Sequence, residues 1–483
     1  MRLPAKLKHP ELLASLWIFL YCFIPRLLLL SKGPFQADVL DLLVGMRDKA
    51  ITPHGSHFPL PSIIALLLAY LKDILHLPFS DLALLLWATA FLASAASVLI
   101  YLLCKRIFDA KPALVYALVA SFGPAFFSVT TFGRIDYALA VFLLPVSLFY
   151  FVRKRLLSCS LFTGLCILSR PESSLIVPAY LAAVMIGRLR DGSKPLWLRP
   201  WRAVGDWVLS LAVPVLCLAA LWLVTAPSAA SIGYTGIRLE QLKESALFDF
   251  GLMCIPLGFA IFGILQKLFG KDNGLAVLFL VLLLLTFGFV AGLGYFSSRW
   301  LVIPFFFFSF FIAHGIASVF ETRRAAILFS IFCALLMVNS VIEVVYDRHA
   351  KAYQVDFAGY VAMITEPDSV ILARQEGVFL SYYAKRKVII PPAHCDRQQW
   401  DDFSAQIEKF IKDKKPVYVI SDAFNYDPCR YFQDFVYNNF VLYKVGEQLN
   451  EDWQRMTLPK RLFLESIFRL NVQSWVEKYG IIF

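Results

Sequence analysis

Hydrophobic positions run along this chain in long, nearly unbroken stretches, and polar residues gather in short turns between them. Several stretches approach the roughly 20 residues a helix needs to cross about 30 Å of hydrocarbon. Lipid offers the backbone no hydrogen-bond partner, so each crossing stretch is expected to be helical. The pattern predicts spans over Glu11 to Leu30, Leu82 to Leu103, Pro112 to Phe132, Ile135 to Val152, Leu156 to Leu168 and Ser173 to Ile186. Further spans are expected over Trp207 to Thr225, Phe250 to Leu265, Leu275 to Leu293, Leu301 to Phe320 and Ala325 to Val345. Pro59 to Leu77 is as apolar, but it begins with the breakers Pro59 and Pro61 and carries Lys72, Asp73 and His76. It therefore reads as a re-entrant or interfacial helix.

The turns between spans carry orientation. Basic residues at Lys105, Arg106 and Lys111, at Arg153 to Arg155, from Arg188 to Arg202, at Lys267 and Lys271, and at Arg323 and Arg324 belong on the cytoplasmic side by the positive-inside bias. Met1 to Pro10 carries Arg2, Lys6 and Lys8 without an acid, and no small-residue cleavage site follows, so an uncleaved first helix with a cytoplasmic N-terminus is expected. Roughly eleven crossings then leave the C-terminus outside. The outer side receives the loop Gly33 to Pro61, the turn Gly133 to Asp136, the loop Ala226 to Asp249 and the turn Tyr295 to Trp300.

From Tyr346 onward the period changes. The runs SVILA, KVIIPP, PVYVIS and FVLYKV read as strands, with helical patterns at Trp400 to Lys414 and Tyr431 to Asn438 between them. Such alternation implies a small parallel or mixed α/β domain. The tail Trp453 to Lys478 is predicted helical. No Gly-rich phosphate loop follows a strand, so the domain does not read as a nucleotide site. The expected organisation is a helical membrane domain over residues 1–345, with an outer loop at 31–81, and an extracytoplasmic α/β domain over 346–483.

Composition supports the class. The chain of 483 residues is 59% hydrophobic, and its mean hydropathy of +0.66 lies far above that of a soluble globular protein. The formal charge of +11 is spread in clusters beside hydrophobic ends and not along one face, which points to membrane orientation and away from nucleic acid. Of the nine cysteines, Cys22, Cys166, Cys217, Cys254 and Cys333 sit in apolar segments, and no metal spacing appears. Cys395 and Cys429 fall in the polar C-terminal part, where export would permit a disulfide.

The acid-containing outer loop is the candidate for chemistry, because carboxylates near hydrocarbon are costly and ask for a functional account. Here a family resemblance becomes visible. The segments ADVLDLLVGMRDKAITP with HGSHFPLP, FGRIDYALAVFLLPVSLFYFVRKR, GLCILSRPESSLIVPAYL and YFSSRWLVIPFFFFSFFIAHGI run in the order found in GT-C glycosyltransferases. The chain resembles in particular the protein O-mannosyltransferase and aminoarabinose-transferase type. Two positions depart from the pattern: Val39 stands where many relatives have a second acid, and Phe58 replaces the first proline of an HPPL-like element.

The resemblance implies an integral membrane glycosyltransferase that takes a sugar from a polyprenyl-phosphate donor and delivers it, with inversion, to a protein, glycan or lipid acceptor on the non-cytoplasmic side. It places the loop carboxylate at Asp38 as general base. Asp41, three residues on, shares its helical face and is the rival or the orienting partner. The leaving phosphate calls for fixed cations, and Arg134, Arg170 and Arg299 are the candidates, with Asp136 beside Arg134 and Glu172 as an ion-pair partner of Arg170. His57 is a candidate to bind phosphate or orient Asp38, and Tyr234 and Arg238 to contact donor or acceptor. A divalent cation, Mg or Mn, is the cofactor to test, although the missing second acid at Val39 weakens the case for one. From another class, a transporter or lipid flippase would use the same charged groups without bond cleavage.

Overall fold

Apolar stretches fold as helices, and turns fall where prolines, glycines and charges interrupt them. The computed structural model describes residues 9–31, 37–51, 59–107, 110–189, 254–268, 274–292, 301–319, 357–373, 377–392, 397–420, 440–444 and 467–472, with isolated positions among 205–219, 338–345 and 355. Two compact units result, Met1–Arg348 and His349–Phe483.

In the first unit, α1 (His9–Leu28) leads into α2 (Ala37–Asp48), α3 (Pro59–Ile74), α4 (Asp81–Ile107), α5 (Ala110–Phe122) and α6 (Pro124–Thr131). Then follow α7 (Ile135–Val152), α8 (Leu156–Ser169), a 3₁₀ turn (Pro171–Leu175), α9 (Ile176–Leu189), α10 (Cys254–Leu268), α11 (Gly274–Gly292) and α12 (Val302–Val319). Among the described residues, four stretches are long and apolar enough to cross a membrane: Glu11–Leu28, Asp81–Lys105, Ile135–Val152 and Val302–Val319. The chain is an integral membrane protein. Helix α3, with 16 residues, spans about 24 Å at 1.5 Å per residue, short of the hydrocarbon thickness.

Helix α12 runs through the centre of this unit. Phe305, Phe306, Phe307, Phe310 and Phe311 are all buried on it, with Phe310 against Phe279 at 4.3 Å and Phe306 against Tyr116 at 5.4 Å between ring centroids. It meets α10 at backbone distance, because Gly263 and Gly315 present no side chain to each other's helix. Small residues let membrane helices pack where lipid supplies no hydrophobic drive. Helix α1 lies further out, exposing Leu12, Leu13, Leu16, Trp17 and Leu20 while burying Ile18, Cys22 and Arg26 on the opposite side.

One expected span is broken. Pro112 to Phe132 reads as a single helix, but the structure ends α5 at Phe122 and restarts at Pro124. Proline has no N–H to continue the ladder and pushes the residue before it out of the helical region, and Gly123 is extended at φ −56°, ψ 128°. A Cβ on Gly123 would lie 2.2 Å from the Phe305 ring, so α12 is wedged into the break.

The second unit holds a five-stranded mixed sheet in the order β2-β1-β3-β5-β4, formed by β1 (Val370–Leu372), β2 (Lys387–Ile389), β3 (Val417–Ile420), β4 (Phe440–Lys444) and β5 (Ile467–Val472). Strand β1 pairs in parallel with β2 and β3, and β5 pairs antiparallel with β3 and β4. Side chains alternate between faces. Val370, Leu372, Val417 and Val419 pack on Trp400, Phe403, Ile407 and Phe410 of α13 (Arg397–Lys412). Ile371, Tyr418 and Ile420 face the other way, onto Phe357, Val361 and Leu380. The tail is corrected here: within Trp453 to Lys478, predicted helical, Ile467–Val472 is a strand, because its backbone finds ladder partners on both sides. Cys395, Cys429 and the stretch Tyr431 to Asn438 lie outside the described residues.

Candidate functional site

Three helix ends converge on one cluster of charge. Helix α2 carries Asp38 in its first turn, and buried Val39, Leu40 and Leu43 seat that helix. Gly133, at φ +86°, makes the turn from α6 into α7 in a conformation that suits glycine, and Arg134 follows as the residue before α7. Asp136 occupies the first turn of α7, where an acid suits the helix dipole. Arg170 caps α8 with an extended backbone at φ −147°, ψ 111°, as expected before Pro171, and Glu172 follows in the 3₁₀ turn.

The side chains form an alternating chain, Asp38, Arg134, Asp136, Arg170, Glu172. Arg134 donates in a two-pronged pair to Asp136, Nε to Oδ1 at 3.0 Å and Nη2 to Oδ2 at 2.7 Å, while its Nη1 donates to Asp38. Arg170 Nη1 donates to the same Asp136 Oδ2 at 2.9 Å, and its Nη2 donates to Tyr137 Oη at 2.7 Å and to Glu172. The Arg170 guanidinium lies 4.0 Å from the centroid of the Tyr137 ring, a cation–π contact. The middle of the chain is sealed, with side chains of Arg134, Asp136 and Arg170 at 1%, 5% and 3% exposure. Its ends are open, Asp38 at 18% and Glu172 at 19%.

Both arginines sit at turns outside the spans and hold their charge. Burial works against the Arg134 guanidinium, but Asp136 and Asp38 outweigh it, so its pKa is raised. Burial likewise opposes Arg170, and Glu172, Tyr137 and Asp136 reverse the sign. Arg134 is thus a buried member of the network. The arrangement presents two partly exposed carboxylates, each backed by a guanidinium that cannot deprotonate in the working range.

Of the residues selected from sequence, the structure brings together Asp38, Arg134, Asp136, Arg170 and Glu172. Asp41 stands one turn along α2, partly buried. His57, Tyr234, Arg238 and Arg299 lie outside the described residues. Tyr137 was missed, although an aromatic next to a site acid is the residue type that supports a guanidinium. Arg26, fully buried in α1, was also missed. As for Mg or Mn, among the described residues no three His, Cys, Asp or Glu side chains are grouped to hold a metal, and Asp38, Asp136 and Glu172 are each paired with an arginine. These residues do not fit a cation.

No family model matches the chain, and no curated protein does. Solved structures do. The chain is similar to ArnT from Cupriavidus metallidurans bound to undecaprenyl phosphate, with a TM-score of 0.59 at 12% identity over 96% of this chain and 98% of that one. It is also similar to the Archaeoglobus fulgidus oligosaccharyltransferase in the apo form, with a TM-score of 0.55 at 13% identity over 97% of this chain and 75% of that one. Identities this low speak to fold alone, and the chain shares the fold of these two solved structures.

Proposed function

We propose that the protein is a membrane glycosyltransferase that moves a sugar from a polyprenyl-phosphate carrier to a hydroxyl or amine acceptor on the non-cytoplasmic side, with inversion at the anomeric carbon. The observation that carries this reading is the sealed Arg134–Asp136–Arg170 core with Asp38 at its open end. The fold supports it, since one similar structure holds undecaprenyl phosphate.

In the proposed reaction the acceptor heteroatom attacks the anomeric carbon while Asp38 takes its proton. The bond from that carbon to the phosphate oxygen breaks, and the polyprenyl phosphate leaves with the electron pair. Negative charge grows on the leaving oxygen, so fixed cations stabilise the transition state more than the ground state. Arg134 serves twice in this scheme, holding Asp38 in place and, from its buried position, lending its charge to the leaving phosphate through space. The described cluster contains three carboxylates and two guanidiniums, a formal charge of −1 with all ionised. Phosphate binding therefore calls for further cations, and Arg299, Arg238 and His57 are the proposed contributors. Asp41 orients the acceptor or Asp38, and Tyr234 is proposed at the substrate rim.

The test is sugar transfer by purified protein from undecaprenyl-phosphate-linked labelled hexoses and pentoses. Wild type should cleave the donor, and Asp38→Asn should lower the rate by about 10²- to 10⁴-fold, the usual worth of a general base. Full activity in a folded Asp38→Asn protein removes Asp38 from the role. A donor recovered intact after crossing a bilayer would make the protein a carrier instead.

A further inference from the structure

Among the described residues, Arg26 and Arg134 are the largest side chains buried to below 2% exposure, and Arg26 sits near the end of a membrane-spanning helix. Charge in such a place is costly and persists where it meets a partner. Its partners are neutral. Nη2 donates to the Ser121 carbonyl at 2.7 Å, Nη1 to the Cys22 carbonyl at 2.9 Å and to Ser121 Oγ at 3.3 Å, and Nε to Thr130 Oγ1 at 3.0 Å. The Phe127 ring lies 4.8 Å from the guanidinium carbon. Among the described residues no carboxylate pairs with it.

What compensates the charge is the break in the helix. Ser121 holds one of the last four carbonyls of α5, which the Gly123–Pro124 interruption leaves without a regular helical donor. That end is also the negative pole of the α5 dipole. The guanidinium fork reaches across the break, gripping Ser121 on one side and Thr130, in the last turn of α6, on the other. A tight turn then connects Thr130 to Arg134, whose backbone N–H donates to the Val129 carbonyl at 3.0 Å.

The geometry points to Arg26 as a positioning residue that fixes the angle of α6 against α5 and thereby holds Arg134 where its buried charge is felt by the donor phosphate. The inference rests on the proposed role of Arg134, and its test keeps the two apart. Full-length Arg26→Lys and Thr130→Val are compared with wild type by hydrogen–deuterium exchange, thermal melting and binding of undecaprenyl phosphate in detergent. Thr130→Val guards against a variant of Arg26 that fails to fold.

Both variants should speed exchange over residues 126–136 and weaken undecaprenyl phosphate binding about 10- to 100-fold, the scale of an ångström-level misplacement. Thr130→Val should do so with a smaller fall in melting temperature than Arg26→Lys, since it removes one of the four hydrogen bonds and leaves the others. In an Arg134→Gln background neither should weaken binding further. Unchanged exchange at 126–136, or a binding loss that adds in full to that of Arg134→Gln, overturns the inference. If wild type does not bind undecaprenyl phosphate, the functional reading falls, and exchange decides alone: faster exchange confined to 126–136 supports Arg26 as the lock, and unchanged exchange refutes it.

Discussion

Arg134 and Arg170, which enter and leave the α7–α8 hairpin at its open end, meet on a single oxygen: Asp136 Oδ2 accepts from Arg134 Nη2 at 2.7 Å and from Arg170 Nη1 at 2.9 Å. Like charges tolerate this closeness because the shared carboxylate lies between them and outer carboxylates flank them. The cluster therefore behaves as a unit, in which each member sets the field felt by the next.

Asp136→Asn should destabilise the protein by about 3–5 kcal/mol, the range for breaking a buried ion pair from one side. Asp38→Asn should cost much less, because Asp38 is partly exposed and Arg134 keeps its two-pronged hold on Asp136. Melting in detergent gives the order. Transfer activity should fall in both, so equal stability losses would mean that Asp38 is as structural as Asp136.

Tyr137 separates two contributions. Tyr137→Phe removes one of the two acceptors of Arg170 Nη2 and should cost about 1.5–3 kcal/mol, the net worth of a hydrogen bond to a charged group. Tyr137→Leu also removes the ring under the guanidinium, adding about 0.5–2 kcal/mol. If Leu melts no lower than Phe, the 4.0 Å stacking contributes nothing.

Gly133→Ala should lower stability by about 1–2 kcal/mol, the price of a left-handed backbone for a residue with a side chain. The new methyl would meet Leu86 Cδ2 at 3.2 Å and Val39 Cγ1 at 3.4 Å, so the Leu86 side chain must give by a few tenths of an ångström while the strained turn presses on Arg134 next to it. Weaker undecaprenyl phosphate binding than stability alone accounts for is the expected outcome, measured under conditions where the variant stays folded.

Gly315→Ala tests the α10–α12 contact. Its Cβ would stand 1.9 Å from the Phe259 carbonyl oxygen, so the helices must part, at about 1–3 kcal/mol for overpacking. Gly288→Ala, in α11 with nothing within 4 Å, should instead stabilise by about 0.5–1 kcal/mol through helix propensity. The same sign of melting shift in both would show that backbone contact does not decide the effect.

Local pattern carried part of this protein. The span read from hydropathy as Ile135 to Val152 is α7 to the residue, and Leu301 to Phe320 is α12 within one residue at each end, because a backbone in lipid must satisfy its own hydrogen bonds and apolar length alone reveals it. The runs SVILA, KVIIPP, PVYVIS and FVLYKV likewise contain β1 to β4. The strand within the tail was not legible, since a strand is stabilised by partners that lie far along the chain. Resemblance pointed to Asp38, Arg134 and Arg170 individually, but not to their pairing.

The sequence by itself determined where helices such as α7 and α12 run and which residue types stand at their ends, since both follow from local periodicity and the solvent demands of lipid. Only the tertiary structure decided that Asp38 meets Arg134 across 96 positions, that Asp136 joins two arginines, and that Arg26 fills the break at Gly123. Those contacts depend on how helices dock, and docking between apolar surfaces in lipid is set by shape and a few buried polar groups, information that no local period contains.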